Sequence, residues 1–422
     1  MKILKWLYPG IGIKRWLIFI LLGLILFSAG IALLIRFNII SFLYYFLADI
    51  VAGRESLLIL FASLLIIAGL LIIFWSFKRV LLNIAKNIVH EEEIVDRLYR
   101  KKILKKGPSI VAVGGGTGLS NLLRGLKKYT SNITAIVTVA DDGGSSGRLR
   151  DELGMLPPGD IRNCLVALAD TEPLMEQLFQ YRFKNDGDLL GHSFGNLFIA
   201  TMTEVLGDFE DAIKESSKVL AIRGQVLPST NEDIRLAAYY EDSSCEIGES
   251  NIPVEGKRIK EVFLKPSNCQ PTPQALNAIK NADIIVVGPG SLYTSIIPNL
   301  LVDGIPQAIN ESQARSIYIC NVMTQAGETT FYSSSDHVKA IYDHVDQKIF
   351  DYIIVNKEKG SAGLARRYEA EGAFPVKVDK DLLKDHDLMV IEDELLADDD
   401  YLRHDPELLA EAIIRVLKGG DS

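Results

Sequence analysis

The stretch Ile110-Val-Ala-Val113, running into Gly114-Gly115-Gly116-Thr117-Gly118, constrains this chain more than any other. A short run of β-branched residues reads as a buried parallel strand. Four glycines in five positions let the backbone turn sharply, and Leu119, Leu122, Leu123 and Leu126 then recur at helical spacing. Strand, glycine turn and helix together gather unpaired N–H groups and a helix N-terminus around one point. That is the geometry of an anion site, above all for phosphate. The bland alternative is a tight βα turn with no ligand.

The chain has 422 residues, enough for two or three units, and its net charge of -9 is unevenly distributed. Residues 1–107 carry 15 Lys/Arg against 6 Asp/Glu, whereas the remainder carries 30 against 48. A basic start on an acidic body favours a membrane surface and speaks against nucleic acid as the main partner. The four cysteines, Cys164, Cys245, Cys269 and Cys320, lie far apart without metal spacing. They read as reduced, mostly buried thiols of a cytoplasmic domain.

Two uncharged apolar runs, Trp16–Ile35 and Leu57–Phe77, are each long enough to span a bilayer. The first is too long for a cleaved signal and has no evident cleavage site. Lys2, Lys5, Lys14 and Arg15 before the pair, and Lys78, Arg79 and Lys86 after it, place both ends in the cytoplasm by the positive-inside rule. Residues 1–79 therefore read as an anchor of two transmembrane helices in the cell membrane. Its apolar connection Phe42–Leu47 suits the membrane interface. Residues 80–107 read as a charged juxtamembrane helix, its basic end (Arg100–Lys102, Lys105, Lys106) suited to anionic lipid or to solvent, and Gly107-Pro108 stops it.

From residue 108 to 422, short apolar runs alternate with helical patterns: Ile110–Val113, Ile133–Val139, Ile284–Val287, Ile317–Cys320 and Tyr352–Val355. This predicts an α/β domain with a largely parallel sheet. Residues 160–223 read as an inserted helical layer. The acidic end, Glu392–Glu394 and Asp398–Asp400, reads as a solvated loop before a last helix, Pro406–Leu417.

Further candidate site residues follow the strands. Asp141 and Asp142, before a loop with Gly144 and Ser145, suit a ribose or sugar hydroxyl, or Mg²⁺ beside a diphosphate. Asp160 reads as an N-cap, and Arg162 as a phosphate clamp beside Asn163. In Gly191-His192-Ser193-Phe194-Gly195-Asn196, Ser193 reads as an N-cap, leaving His192 and Asn196 as polar contacts. Gly288-Pro289-Gly290-Ser291-Leu292-Tyr293 repeats the strand–turn–helix pattern, and a third strand end supplies Asn321 and Thr324. His337 and His344 read as solvated. There is no G-x-x-x-x-G-K-[ST], so a P-loop NTPase is excluded. The spacing also fails the dinucleotide fingerprint, because the third glycine position falls on Leu119 or Asn121.

Six ordered motifs together resemble the YvcK (GlmR) gluconeogenesis-factor family, relatives of the 2-phospho-L-lactate transferase CofD. They are Val113–Leu119, Asp141–Gly147, Leu156–Asp160, Gly191–Asn196, Gly288–Ser295 and Asn321–Gln325. The resemblance covers about Ser109 to Leu417. It implies a Rossmann-like, CofD-like domain that binds UDP-N-acetylglucosamine and needs no other cofactor. It also implies a regulatory role joining gluconeogenic carbon metabolism to cell-wall precursor synthesis and cell shape. Glutamine–fructose-6-phosphate aminotransferase is an implied partner, and self-association a further expectation. The apolar hairpin departs from the simpler members of the family.

The resulting expectation is a membrane-tethered UDP-sugar sensor. Backbone N–H groups of Gly114–Gly118 and Gly288–Ser291 would hold the diphosphate, Tyr293 would stack on a ring, and Asn321 and Thr324 would line the rim. The rival is a CofD-type transferase moving a phospholactyl-like group, with Asp141 or Asp142 carrying Mg²⁺.

Overall fold

The computed structural model describes residues 14–35, 55–88, 103–170, 173–184, 187–358, 360, 362–397 and 401–419. The chain forms two compact units, Met1–Lys101 and Lys102–Ser422.

The first unit holds helices Lys14–Ile35 and Glu55–Ile88. Their windows Trp16–Leu34 and Ile59–Leu82 have mean hydropathies of 2.9 and 2.7 and are long enough to cross a membrane. The helices meet through small residues. A Cβ on Gly23 would lie 2.9 Å from the Gly69 carbonyl oxygen, and one on Gly69 would lie 2.7 Å from that of Gly23. Backbones in such contact gain dispersion energy that apolar surroundings cannot supply, as between helices in lipid. Leu21, Ile25, Leu71 and Phe74 point away from the helix pair. The expected interfacial segment Phe42–Leu47 and the basic Arg100–Lys102 lie outside the described residues. The predicted connector is helical as far as Ile88, and a single turn at Leu104–Lys106 precedes Gly107.

In the second unit the strands are β1 (Ile110–Gly114), β2 (Ile133–Val137), β3 (Gln225–Pro228), β4 (Arg235–Tyr240), β5 (Cys245–Ile247), β6 (Ile259–Lys265), β7 (Ile284–Val287), β8 (Arg315–Ile319), β9 (Tyr352–Asn356) and β10 (Met389–Asp393). Seven form one parallel sheet in the order β10-β9-β8-β7-β1-β2-β3. Helices on both faces explain why β1, β2 and β7 are continuous apolar runs with every residue buried. Between β2 and β3 lies the predicted helical layer, including Gly159–Leu168, Pro173–Gln180, Phe194–Leu206 and Phe209–Val219.

The sequence reading differs from the structure at several elements. A small antiparallel sheet, β5-β4-β6, is inserted before β7. Its strands β5 and β6 carry Glu246, Lys260 and Glu261 among their apolar residues, and the apolar Leu236–Tyr240 of β4 went unread. The acidic Glu392–Asp393 is not loop but the end of β10, an edge strand beside β9. An edge tolerates charge, and Glu392 pairs with Lys380 at 2.6 Å while Asp393 pairs with Arg415. Asp398–Asp400 lies outside the described residues. The last helix spans Pro406–Leu417 as expected, with the Asp405 carboxylate accepting from the N–H groups of Glu407 and Leu408.

The order of strands creates the site. From β1 the chain proceeds through β2 to β3 on one side, then returns to β7 on the other and continues out to β10. Neighbouring loops at β1 and β7 therefore leave in opposite directions and open a crevice at the carboxyl ends of these strands. The helix Gly116–Leu126 that follows β1 is held against the C-terminal helix by close backbone approach. A Cβ on Gly125 would fall 1.7 Å from the Pro406 carbonyl oxygen.

Gly125→Ala should therefore destabilise the second unit despite the better helix propensity of alanine. Overpacking of about 1–3 kcal/mol exceeds a propensity gain of at most about 1 kcal/mol. Urea unfolding of the Lys102–Ser422 unit should show a lower midpoint, and an unchanged or raised midpoint would refute this contact.

Candidate functional site

At the end of β1, Gly115 is extended and Gly116 turns with φ +64 into the helix Gly116–Leu126. The second turn, Gly288–Ser291, leaves β7 with Gly288 at φ +85 and a cis Gly288–Pro289 bond, then enters a π-helical turn, Leu292–Ile296. The two turns touch, since a Cβ on Gly118 would lie 2.5 Å from the Pro289 carbonyl oxygen. Only glycine at 118 permits this approach.

The cavity over these turns encloses about 740 Å³, within the range of small-molecule sites. Its walls include Gly115, Gly116, Thr117, Gly118, Arg162, Asn163, Gly290, Ser291 and Asn321 from the predicted set. Among the described lining residues are four arginines, Arg124, Arg162, Arg182 and Arg403, and no Asp or Glu. In a unit with a large excess of acidic residues this is a local reversal of charge. Burial lowers the Arg162 guanidinium to about 10, which leaves it charged at neutral pH.

The donors of the turn are fewer than the sequence suggested. The Gly288 N–H donates to the Val113 carbonyl at 2.9 Å, and the Gly290 N–H to Asn321 Oδ1 at 3.2 Å. Asn321 returns a bond to the Gly290 carbonyl at 2.7 Å, and Gln325 Nε2 donates to Ser291 Oγ at 2.7 Å. The second turn is thus a braced wall, its glycine amides already satisfied. Gly114 belongs to the strand, its carbonyl accepting from Thr138 and Asn299. The Gly116 N–H faces the Asp160 carboxylate and favours its charged form. Thr117 and Gly118, in the first turn of a helix with no side-chain cap, remain as the amides facing the cavity without an intrahelical acceptor.

A smaller polar pocket of about 230 Å³ adjoins this cavity, sharing Arg162, Asn163 and Arg182 with it. Asp141, Gly144, Ser145, Asp160 and Asn196 line it. Asp160 is not an N-cap: its helix begins after Pro158, and its carboxylate presses on the glycine turn, 2.6 Å from where a Gly115 Cβ would stand. Ser193 does cap its helix, accepting from the Asn196 N–H at 3.1 Å, and also receives Arg162. His192 is a positioning residue, buried and bonded through Nδ1 to Ser145 Oγ at 3.0 Å.

Other expectations are corrected. Asp141 and Asp142 do not act as a pair. Asp141 Oδ1 accepts from the Gly143 N–H at 2.9 Å, whereas Asp142 Oδ1 accepts from the Ser250 N–H at 2.9 Å. Among the described residues no three His, Cys, Asp or Glu side chains are grouped to hold a metal ion without further ligands. Tyr293 cannot stack on a ligand at the glycine turns. Its hydroxyl bonds that of Tyr332 at 2.9 Å, and it lines a separate cavity with Glu328 and His344. Thr324 is buried, its hydroxyl accepting from the Phe374 N–H at 2.9 Å. His337 and His344 are not solvated. His337 Nδ1 bonds the Ser333 carbonyl at 2.7 Å; His344 bridges the Ala340 carbonyl at 2.6 Å and the Val262 N–H at 3.0 Å.

Sequence reasoning missed Arg124, Arg182, Tyr368 and Arg403 in the cavity wall. Arg124 was legible, because Thr117, Asn121 and Arg124 form a polar stripe at helical spacing on an otherwise apolar helix. The others arrive from distant segments and carry no local signal.

With the geometry described, the relatives can be compared. The family model "2-phospho-L-lactate transferase CofD" matches residues 110–396. A putative gluconeogenesis factor from Nostoc is 47% identical, over 97% of this chain and 92% of its own. The gluconeogenesis factor of Bacillus subtilis is 53% identical, over 74% of this chain and 98% of its own. The chain belongs to the gluconeogenesis-factor (YvcK) family of CofD-domain proteins. A crystal structure from Bacillus halodurans, 55% identical, superposes with a TM-score of 0.72 over 73% of this chain and 99% of that one. Family members thus occur both at the size of the Lys102–Ser422 unit alone and at nearly the full length found here.

Asp160 makes the site pH-sensitive. Burial first, then the neighbouring Asp141, push its carboxyl up to about 6, while the Gly116 N–H and Arg162 act the other way. The folded state therefore holds a proton that the unfolded chain has released, and this stabilisation disappears as pH rises from about 4 through about 6. Asp160→Asn should melt close to the wild type at pH 5 but above it at pH 8. A variant that melts below the wild type at pH 8 would refute the assignment.

Proposed function

We propose that the second unit binds a nucleotide sugar, UDP-N-acetylglucosamine, and that the chain is a regulator joining gluconeogenic carbon metabolism to cell-wall precursor synthesis and cell shape. The observation that carries this reading is the arginine-lined cavity at the β1/β7 crevice of an acidic unit. The amides of Thr117 and Gly118 and the arginines would take the diphosphate, the donors that oxygen-rich anions require. Family membership supports the metabolic role, and glutamine–fructose-6-phosphate aminotransferase is the partner to test by co-purification.

In this reading the two apolar helices anchor the protein in the cell membrane, with the large unit in the cytoplasm. Their length, the outward apolar side chains and the basic residues beyond each end support it. The family model's own description keeps a transferase as the rival.

Gly116→Asp tests the phosphate assignment. The nearest atom to a Cβ is Ser295 Oγ at 3.5 Å, and although φ +64 strains a side chain, aspartate is among the residues that visit this region, so folding of the variant is checked by circular dichroism. A carboxylate among the phosphate donors should weaken UDP-N-acetylglucosamine binding at least about 100-fold by calorimetry, a cost near 2.7 kcal/mol. Wild-type affinity in the folded variant would overturn the reading. Nucleotide sugar recovered intact after hours with the wild type supports a regulator, whereas released free nucleotide would favour the transferase.

A further inference from the structure

A second cavity, of about 620 Å³, lies behind the second glycine turn and shares no lining residue with the crevice described above. It sits between the inserted sheet and helix Ser334–Val345. Two contacts fix its walls. His344, on the helix, accepts at Nε2 from the Val262 N–H of β6 at 3.0 Å. Gly327, at φ +80, lets the segment before the helix press on the loop after β5; a Cβ there would fall 2.1 Å from the Pro253 carbonyl oxygen. The cavity is thus built into the fold, and it has the size of a small-molecule site.

The charges that line it are not used up by the fold. Lys260 and Lys339 have no ion-pair or hydrogen-bond partner among the described residues. Arg258 meets Glu241 at 3.4 Å, and its charge also reaches Tyr293 on the cavity floor. Tyr293 and Tyr332 share one hydroxyl–hydroxyl bond of 2.9 Å, so one of their two protons has no acceptor among the described residues. Glu328, buried at the base, accepts from the Tyr293 N–H and the Thr294 hydroxyl, both at 3.3 Å. Burial pushes its carboxyl up to about 7 against these two bonds, so near neutral pH it sets only a partial charge against the cations.

These groups narrow the class of guest. Three cations and a spare hydroxyl proton suit an oxyanion, and a phosphate dianion matches them better than a single carboxylate. Asp336 and Asp343 also line the walls, Asp343 with no ion-pair or hydrogen-bond partner among the described residues. Such carboxylates would repel a nucleoside triphosphate or an acidic membrane surface, but they accept from hydroxyls. Phe331 stands at the rim, 76% exposed, its ring stacked on that of Phe374 at 4.8 Å and its backbone at φ +66. A bulky residue in that region is strained, and such strain gathers at ligand sites. Its exposed ring offers the apolar C–H side of a sugar a partner.

We infer that this cavity binds a small sugar phosphate, with the phosphate held by Arg258, Lys260 and Lys339 and the hydroxyls by Tyr332 and the wall carboxylates. The inference does not depend on what occupies the glycine-turn crevice.

The test is calorimetry on the full chain in detergent, with glucose 6-phosphate as the probe and glucose and inorganic phosphate as controls. Glucose 6-phosphate should bind with a dissociation constant of about 1 mM or tighter, and each control at least about tenfold more weakly. Lys260→Ala/Lys339→Ala should weaken the probe at least about tenfold, or 1.4 kcal/mol. Both lysines are exposed and unpaired, so the variant should fold, as circular dichroism would verify; Lys339→Gln alone, expected to weaken the probe in the same direction, carries the test if it does not. Unchanged affinity in the folded variant would place the probe elsewhere, the arginine-lined crevice included, and overturn the assignment. No binding of glucose 6-phosphate at about 10 mM, or equal binding of inorganic phosphate, would overturn the ligand class.

Discussion

The contact between Gly118 and the Pro289 carbonyl is the constraint on which the site depends. Each strand–turn–helix unit alone would be an ordinary crossover of a parallel sheet. Pressed together at the point where the strand order reverses, they form one wall at the carboxyl ends of β1 and β7. The two turns then divide the work. The first keeps amides open toward the cavity; the second spends its glycine amides on Val113 and Asn321 and becomes rigid. A rigid wall behind a set of open donors holds them in place before any ligand arrives, which lowers the ordering cost of binding.

Charge is arranged around this wall with the same economy. Among the described residues the main cavity is lined by arginines and no carboxylate, while Asp160 in the adjoining pocket faces the Gly116 N–H. That carboxylate neutralises part of the turn's positive end in the absence of ligand. Its own ionisation is opposed by burial and by Asp141. An anion entering the cavity would oppose it further, so anion binding and protonation of Asp160 favour each other.

How far the sequence could be read follows from where each signal resides. β1, β2 and β7 are buried throughout and, Thr134 apart, carry no polar side chain because helices cover both faces, and such runs are plain in one dimension. Glu392 and Asp393 of β10 were read as loop because an edge strand carries charge, and β3 went unread because a four-residue strand ending in Pro228 has no pattern to display. At the site, glycines and Asp141 were legible because local backbone geometry demands them. Tyr293 was misplaced by one detail: the segment after the second turn winds as a π-helix, which aims its ring at Tyr332 instead of the glycine turns. Arg182, Tyr368 and Arg403 converge from separate segments, and only the tertiary fold brings them together.

Some of the buried polar atoms without a partner lie where the ligand is proposed to bind. Arg162 Nε, Asn196 Oδ1 and Gln325 Oε1 all belong to residues lining the two adjoining cavities. A buried polar atom without a partner costs on the order of 1–3 kcal/mol, so this region gives up stability that a purely structural loop would retain. Sequences tolerate such local violations where function requires them. Binding of a ligand would stabilise the folded unit by mass action. This coupling suits a regulator, whose output is a change in the occupied fraction and firmness of one surface, without any bond in the ligand being broken.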